Sequence, residues 1–466
     1  MVVKNKLIVG IILGFFCSFS LFFAKPIQAQ KSKDSQRAFH TVVEQIKEGF
    51  PGDTVRAIVQ LANTHADSAP IQAVHGIALL DCGEFDRANV QFVRALSLDN
   101  GNPEAHLGLG ELAYGWFDLE EALHHLDKAL STSYLKARAH WWLSQCLHAM
   151  NKHADARDVL LSGLDRIEAM SGRDAERFKN SIAYFGSLQD IHLYTIPDEF
   201  ESTVVDFSNW RGHILVPLML NGQDIGKVHL DTGSTGSLAI GSDLAERLNL
   251  KVIGERKSRN IEGEFTTNIA LCESLQIGDL IVQNVPVSIL EGPGEFTGES
   301  SGNLGLEVLK RLNMSIDYVH SRLHFFHRER GELQSAKIAQ ENASEEVPFW
   351  CKRHCLVRAS INGREAAPFI LDTGAGISLI HSAYFLEKVM PNSKAKITKD
   401  KAVPFMIDSI DLGGLPFNGI MAAAFDLTDL YAYGKMYYPG IIGASVFQKS
   451  ILHFNFKDSK LLIEKD

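Results

Sequence analysis

The tripeptide Asp-Thr-Gly occurs twice in this chain, in Leu230-Asp231-Thr232-Gly233-Ser234 and again in Leu371-Asp372-Thr373-Gly374-Ala375. One copy would carry little weight, because a tripeptide of common residues arises readily by chance. Two copies in matching surroundings imply chemistry. Two carboxylates facing each other across two similar halves cannot both ionise cheaply, so they share one proton. The charged member can then act as general base on a water while the protonated member donates to a carbonyl oxygen.

The surroundings do match. About ten residues before each aspartate comes a hairpin dipeptide, Asn221-Gly222 and Asn362-Gly363. Apolar strand patterns flank both turns, His213 to Leu220 with Ile225 to Leu230, and Leu356 to Ile361 with Ala367 to Leu371. A short helical pattern follows each aspartate, beginning at Ser242 and Ser382. Leu275-Gln276-Ile277-Gly278 and Ile410-Asp411-Leu412-Gly413 then open further strand pairs. Asn303-Leu304-Gly305 matches Ile441-Ile442-Gly443, and Ile316-Asp317-Tyr318 matches Phe454-Asn455-Phe456. Landmarks at nearly constant offsets read as an internal duplication of a lobe of roughly 120 residues, an ordinary size for a small domain.

On these residues the stretch 204–466 resembles the aspartic peptidases of the pepsin and retropepsin superfamily. The nearest pattern is that of bacterial retropepsin-like proteins with both lobes in one polypeptide. The resemblance implies an all-β bilobal fold and an aspartic-type endopeptidase with Asp231 and Asp372 as catalytic residues. It implies that Thr232 and Thr373 bond across the interface and that Gly233 and Gly374 permit close backbone approach. Ser234 falls where the family bonds the outer oxygen of its aspartate; Ala375, in the same place of lobe 2, has no hydroxyl to offer. A flap over the cleft is also implied, and Gly263, Glu264 and Phe265 within Asn260 to Thr267 are its best candidates. The equivalent stretch of lobe 2, Lys394 to Pro404, has no glycine. Lobe 1 departs from the pattern at Asn303, where the family carries an apolar residue. The expected substrate is extended polypeptide, with no cofactor and no metal. Both half-sites lie in one chain, so no dimer is required.

The N-terminal half changes to helix periodicity with a repeat of about 34 residues. Gly76, Gly110 and Ser144 stand one period apart, as do Ala88, Ala122 and Ala156, Phe92, Leu126 and Leu160, and Ala95, Ala129 and Gly163. Small residues where paired helices touch, with large apolar ones between, form the tetratricopeptide (TPR) pattern. The expected fold is therefore an all-α TPR-like solenoid followed by the β lobes. A concave helical groove of this kind binds a peptide or another protein, with a stabilising brace as the alternative. A non-catalytic peptide-binding adaptor built from the same two parts is the rival to a peptidase.

Residues 1–29 read as a signal peptide or membrane anchor. Lys4 and Lys6 precede an apolar run from Leu7 to Ala24, with Ile27-Gln28-Ala29 as a cleavage point. The body of the chain is then exported, periplasmic or at the cell surface, or anchored through residues 7–24. The remaining boundaries are a helical cap or degenerate repeat at 30–68, repeats at 69–170, and a capping helix and linker at 171–203. Lobe 1 takes 204–330, an interlobe linker 331–346, and lobe 2 347–466.

A formal charge of −10 over 466 residues argues against nucleic acid as a partner. The six cysteines are too sparse for a disulfide scaffold. Cys351-Lys352-Arg353-His354-Cys355 lacks a second ligand pair for zinc. A local disulfide or free thiols just ahead of lobe 2's first strand is the better reading. The sequence contains neither a Gly-x-Ser-x-Gly elbow nor a His-Glu-x-x-His helix.

Overall fold

The computed structural model describes residues 62–132, 135–166, 172–260, 263–291, 299–330, 345–398, 401–428 and 438–465. The expected leader and most of the expected cap therefore lie outside the described residues. Among those described, no helix is long and apolar enough to cross a membrane.

Among the described residues, three helix pairs and a closing helix make up the N-terminal half. They are α1 (Ala69–Asp81) with α2 (Phe85–Leu98), α3 (Pro103–Gly115) with α4 (Leu119–Ala129), α5 (Lys136–Ala149) with α6 (His153–Arg166), and α7 (Gly172–Ser187). Pro103 starts α3 where its missing N–H costs nothing, and Asn102 caps the same end by accepting from the Ala105 N–H. The 34-residue ladder is the seam inside each pair. A Cβ on Gly76 would lie 2.5 Å from the Phe92 ring, and one on Gly110 2.6 Å from Leu126 Cγ. Each small residue on a first helix thus admits a large one from the second, and Ala88, Phe92, Ala95, Ala122, Leu126 and Ala129 are fully buried.

The second helices, α2 and α4, bury one narrow stripe and present the rest to solvent. The first helices, α1 and α3, are buried almost all round. Something other than the solenoid must cover their inner face, and that something is the β-rich half.

The β-rich half begins with β1 (Ser202–Asp206), followed in lobe 1 by β2 (Ser208–Trp210), β3 (His213–Leu220), β4 (Gln223–Asp231), β5 (Leu238–Gly241), β6 (Val252–Asn260), β7 (Gly263–Ile277), β8 (Leu280–Leu290) and β9 (Ser300–Gly305). These strands make one sheet in the order β2-β3-β4-β9-β5-β8-β7-β6. Next come β10 (Leu312–Asp317), β11 (Arg322–His327) and β12 (Glu345–Cys351). Lobe 2 continues with β13 (Cys355–Ile361), β14 (Ala367–Asp372), β15 (Ser378–His381), β16 (Val403–Leu412), β17 (Leu415–Phe425) and β18 (Gly440–Gly443), in the order β13-β14-β18-β15-β17-β16. The chain ends in β19 (Ser450–Asn455) and β20 (Lys460–Lys465).

The duplication is visible in this topology. Strands β3, β4, β9, β5, β8 and β7 of lobe 1 follow the same order as β13, β14, β18, β15, β17 and β16 of lobe 2. Both Asn-Gly turns have positive φ at each central residue, 50° and 74° at Asn221-Gly222, 49° and 69° at Asn362-Gly363. The lobes join through a platform ordered β1-β11-β10-β19-β20-β12, three strands from each copy. At its centre β10 pairs antiparallel with β19, Met314 opposite Phe454 and Ile316 opposite Leu452.

The cysteine motif joins two strands of lobe 2. Cys351 ends β12 and Cys355 begins β13, so the Cys351–Cys355 disulfide closes the β12–β13 hairpin. That hairpin is what fills the inner face of the solenoid. Trp350, 1 % exposed, donates its indole N–H to the Leu112 carbonyl at 3.1 Å and packs at a tilt against the Phe85 ring, centroids 4.4 Å apart. A Cβ on Gly115 would lie 1.9 Å from the Trp350 indole nitrogen, so this helix position must be glycine for the ring to seat. Lys352 pairs with buried Glu111, which also holds Arg138, and Arg138 grips Asp81 through two bonds of 2.7 Å. Leu356, Ile370, Tyr438 and Ile441 of lobe 2 belong to the same core cluster as the solenoid.

Trp350→Ala should therefore destabilise the solenoid and lobe 2 together. A large aromatic removed from a closed site costs about 3–5 kcal/mol. Denaturant unfolding monitored by both helix and tyrosine signals checks this: the two transitions should shift together, whereas a shift of the helical signal alone would show that the halves fold independently.

Candidate active site

Strand β4 runs into Asp231 and strand β14 into Asp372, each strand buried at its centre by Leu230 or Leu371. The turn that follows is built from the carboxylate itself. Asp231 Oδ1 accepts the N–H groups of Gly233 and Ser234 at 2.8 and 2.9 Å. Asp372 Oδ1 accepts those of Gly374 and Ala375 at 2.8 and 3.1 Å. Each side chain is thereby fixed by its own loop.

The threonines lock one loop to the other. Thr232 Oγ1 donates to the Leu371 carbonyl at 2.7 Å, and Thr373 Oγ1 donates to the Leu230 carbonyl at 2.9 Å. Each hydroxyl also accepts the opposite threonine's N–H, at 3.0 and 3.1 Å. Thr232 is fully buried and Thr373 nearly so, so four bonds close a water-free ring across the interface. The glycines explain why the loops come this close. A Cβ on Gly233 would lie 2.3 Å from Asp372 Cγ, and one on Gly374 2.4 Å from Asp231 Cγ. Neither glycine has positive φ, so close approach is what requires them here.

The two carboxyl groups lie close enough for Asp231 to act directly on Asp372. Burial, then the neighbouring Asp231 carboxyl, holds the Asp372 carboxyl well above the usual carboxylate range, against the pull of its two N–H donors. One proton is therefore retained between the pair at pH values where an exposed pair would have lost both.

The lobes differ beside their aspartates. In lobe 2, Ile370 lies two residues before Asp372 on the same face of β14, in register with Ile441 of β18. Both are covered by the solenoid cluster, and Ala375 packs against it. In lobe 1 the same places hold His229 and Asn303, in register on β4 and β9. His229 stacks parallel to His213 at 5.0 Å, beside Trp210. Burial and the His213 neighbour push the His229 imidazole towards its neutral form, with Asp231 pulling the other way.

Asn303 is the residue whose part the sequence did not disclose. Its position looks there like a lost apolar contact, yet its Nδ2 donates to Asp231 Oδ2 at 2.5 Å. That outer oxygen was expected to take the Ser234 hydroxyl, whereas Ser234 contributes its backbone N–H to Oδ1. His354, from the cysteine hairpin, is a second unannounced neighbour. Its Nδ1 lies 2.9 Å from the Gly233 carbonyl, and burial pushes its imidazole down to about 4.

The expected flap corresponds to the hairpin of β6 and β7, with Asn260 paired to Gly263, Arg259 to Glu264 and Ser258 to Phe265. Ile261 and Glu262 at its tip, and the side chains of Glu264 and Phe265, lie outside the described residues. Helix α7 of the solenoid packs along β6. Among the described residues strand β6 has no counterpart in lobe 2, where Thr398 makes a bridge to Lys401.

Residues 216–308, spanning Asp231 and Asn303, match the family model described as aspartyl protease, and residues 118–169 match a tetratricopeptide repeat model. The chain carries an aspartyl protease domain and a tetratricopeptide repeat. Solved structures that match include an aspartic proteinase from Irpex lacteus, at 13% identity over 57% of this chain and 97% of that one, with a TM-score of 0.39. A retropepsin-like aspartic protease from Rickettsia conorii matches at 20% identity over 29% of this chain and 97% of that one, TM-score 0.22. Conglutin gamma from lupine seeds matches at 11% identity over 57% and 96%, TM-score 0.37. No curated protein matches the sequence.

The raised Asp372 carboxyl has a thermodynamic consequence. A folded state that holds its proton above the unfolded value of about 3.9 loses stability as pH rises from there through the folded value. Asp372→Asn removes that penalty, so its melting temperature at pH 7 should lie above that of wild type and the two should converge near pH 4. Thermal unfolding across pH checks it; a neutral-pH melting temperature below wild type would overturn the assigned burial cost.

Proposed function

We propose that this chain is an aspartic endopeptidase that hydrolyses peptide bonds with a water held between Asp231 and Asp372. The observation that carries the reading is the pair of carboxyl groups, each packed against the glycine of the opposite loop and cradled by two loops of the same construction. An aspartyl protease domain implies a polypeptide substrate. The dyad is the part that would act on it.

In the resting enzyme the pair carries one proton and one negative charge. The charged carboxylate takes a proton from the water as its oxygen attacks the scissile carbonyl carbon. The protonated carboxyl gives its proton to the carbonyl oxygen, so the tetrahedral intermediate forms as a neutral gem-diol. Collapse returns a proton to the leaving nitrogen and breaks the C–N bond. No acyl-enzyme arises, because the nucleophile is water throughout. Substrate would lie extended between the β6–β7 hairpin and the two loops, bonded through its backbone as an added strand. Gly263, Glu264 and Phe265 are the flap residues of this reading.

A tetratricopeptide repeat implies protein interaction. In this chain the inner faces of α1, α3 and α5 meet the chain's own second lobe through Trp350, Lys352 and Ile370. We assign the solenoid the part of an internal brace for lobe 2, and leave its outer helices α2, α4 and α6 as the surface for other proteins. The leader at 1–29 supports export to the periplasm or cell surface.

Cleavage of an unfolded protein substrate across about pH 3 to 7 should give a bell-shaped kcat/KM profile, with a neutral pair inactive on the acid side and a doubly charged pair inactive on the basic side. Asp231→Asn and Asp372→Asn should each reduce turnover by at least about 10³-fold while leaving the fold intact, in line with single losses from units that act together. Undiminished cleavage by either purified variant would refute the dyad.

A further inference from the structure

The duplication makes an internal control of the site, because every feature of one aspartate can be compared with the other. Both carboxylates receive two backbone N–H groups at Oδ1 from equivalent loop positions. Both loops carry the same threonine lock. The difference lies at Oδ2. In lobe 1 the residue in register with His229 is Asn303, whose amide reaches Asp231; in lobe 2 the residue in register with Ile370 is Ile441, which has no donor.

We propose that Asn303 fixes the negative charge of the pair on Asp231 and so leaves the shared proton on Asp372, an inference that rests on the proteolytic reading above. Asn303 is a positioning residue: it acts through Asp231 and need not touch substrate.

The argument begins with the direction of the amide. An asparagine can present either its NH₂ or its oxygen to a neighbour, and the two are told apart by the bonds they make. Oxygen facing a carboxylate would set lone pairs against lone pairs, so the 2.5 Å contact is an N–H donor to Oδ2. The other end of the amide shows what this costs. Asn303 Oδ1 is buried without a partner. An unmet buried carbonyl costs about 1–3 kcal/mol, and a bond to a full negative charge is among the few single contacts strong enough to offset it. A bond to a neutral carboxylic acid is weaker by about half. The arrangement is thus stable only when Asp231 is the charged member.

The other groups that face the pair do not supply this bias. His229 on β4 is held towards its neutral form by burial and by His213, and His213 on β3 stacks on it. His354, from the β12–β13 turn, is pushed down to about 4 by burial, so it is neutral above that pH, and its ring nitrogen bonds the Gly233 carbonyl rather than either carboxyl. Tyr318, at the end of β10, is pushed up by burial and by Asp372 and stays a phenol. The raised Asp372 carboxyl agrees with the proton residing there.

The two limbs of the pH profile separate this from a structural role. The first proton leaves as the pair goes from neutral to singly charged, and Asn303 stabilises the product of that step. The second leaves Asp372, and Asn303 bonds Asp231 both before and after, so its contribution cancels. Asn303→Ile, which copies Ile441 of lobe 2, should therefore move the acid limb of kcat/KM up by about one pH unit or more and leave the basic limb in place. Asn303→Ser, with a smaller and shorter side chain, should move the same limb in the same direction. A second reading does not need turnover: carboxyl-carbon NMR of aspartate-labelled full-length protein, assigned with Asp231→Asn and Asp372→Asn. Asp231 should ionise first in wild type, and the interval between the two carboxyls should narrow in Asn303→Ile. An unmoved acid limb, both limbs moving together, or Asp372 ionising first would overturn the inference. If wild type cleaves nothing, the proteolytic reading falls and the order of ionisation still decides the part of Asn303.

Discussion

Two carboxyl groups held close together away from water cannot both be charged cheaply. Everything around Asp231 and Asp372 serves to impose that contact and to keep it. The cost of the arrangement is electrostatic, and each supporting feature answers one part of it. Paired N–H donors at each Oδ1 stabilise whichever carboxylate is charged. The threonine ring resists the repulsion that would push the loops apart. Glycine at 233 and 374 is the only residue that leaves room for the opposite carboxyl. The six-stranded platform, with β10 against β19 at its centre, sets the two lobes at the distance from which these loops can meet.

Much of this was legible in the residues. The Asn-Gly turns, the paired Asp-Thr-Gly motifs and the 34-residue ladder are local signals, each tied to a fixed backbone geometry or to a fixed helix contact, and they sit where the spacing put them. What was not legible depends on which surfaces meet. Asn303 read as a lapse from an apolar pattern, because a sequence shows the residue type and not the oxygen it will face. Cys351 and Cys355 read as lying ahead of a strand, because β12 owes its place to pairing with β20 as well as with β13. The covering of α1 and α3 by lobe 2 had no local signal beyond their being apolar on every side.

That covering bears on how a TPR-like array can be used. A solenoid buries one face of each helix against its neighbours and normally leaves the inner face to a partner. Here the inner face carries buried charge as well as apolar surface: Asp81, Glu111 and Arg138 form a network that Lys352 completes from lobe 2. An incomplete network of this kind would leave a fully buried carboxylate short of a cation, which is costly in a low-dielectric setting. Lobe 2 is therefore part of the solenoid's electrostatics and not merely a neighbour of its surface.

The same contact explains why two copies of one lobe diverged beside their aspartates. In lobe 2 the face bearing Ile370 and Ile441 lies under the solenoid, where an amide or imidazole would be desolvated with no partner, and aliphatic side chains are the stable choice. In lobe 1 the equivalent face is not claimed by the solenoid cluster, and His229, His213 and Asn303 remain half-buried. Polar groups persist there because one of them has a charge to bind. The difference between the two aspartates thus follows the packing of the chain: the helical array covers the flank bearing Ile370 and Ile441 and keeps it apolar, while the matching flank in lobe 1, outside that cluster, carries the amide of Asn303.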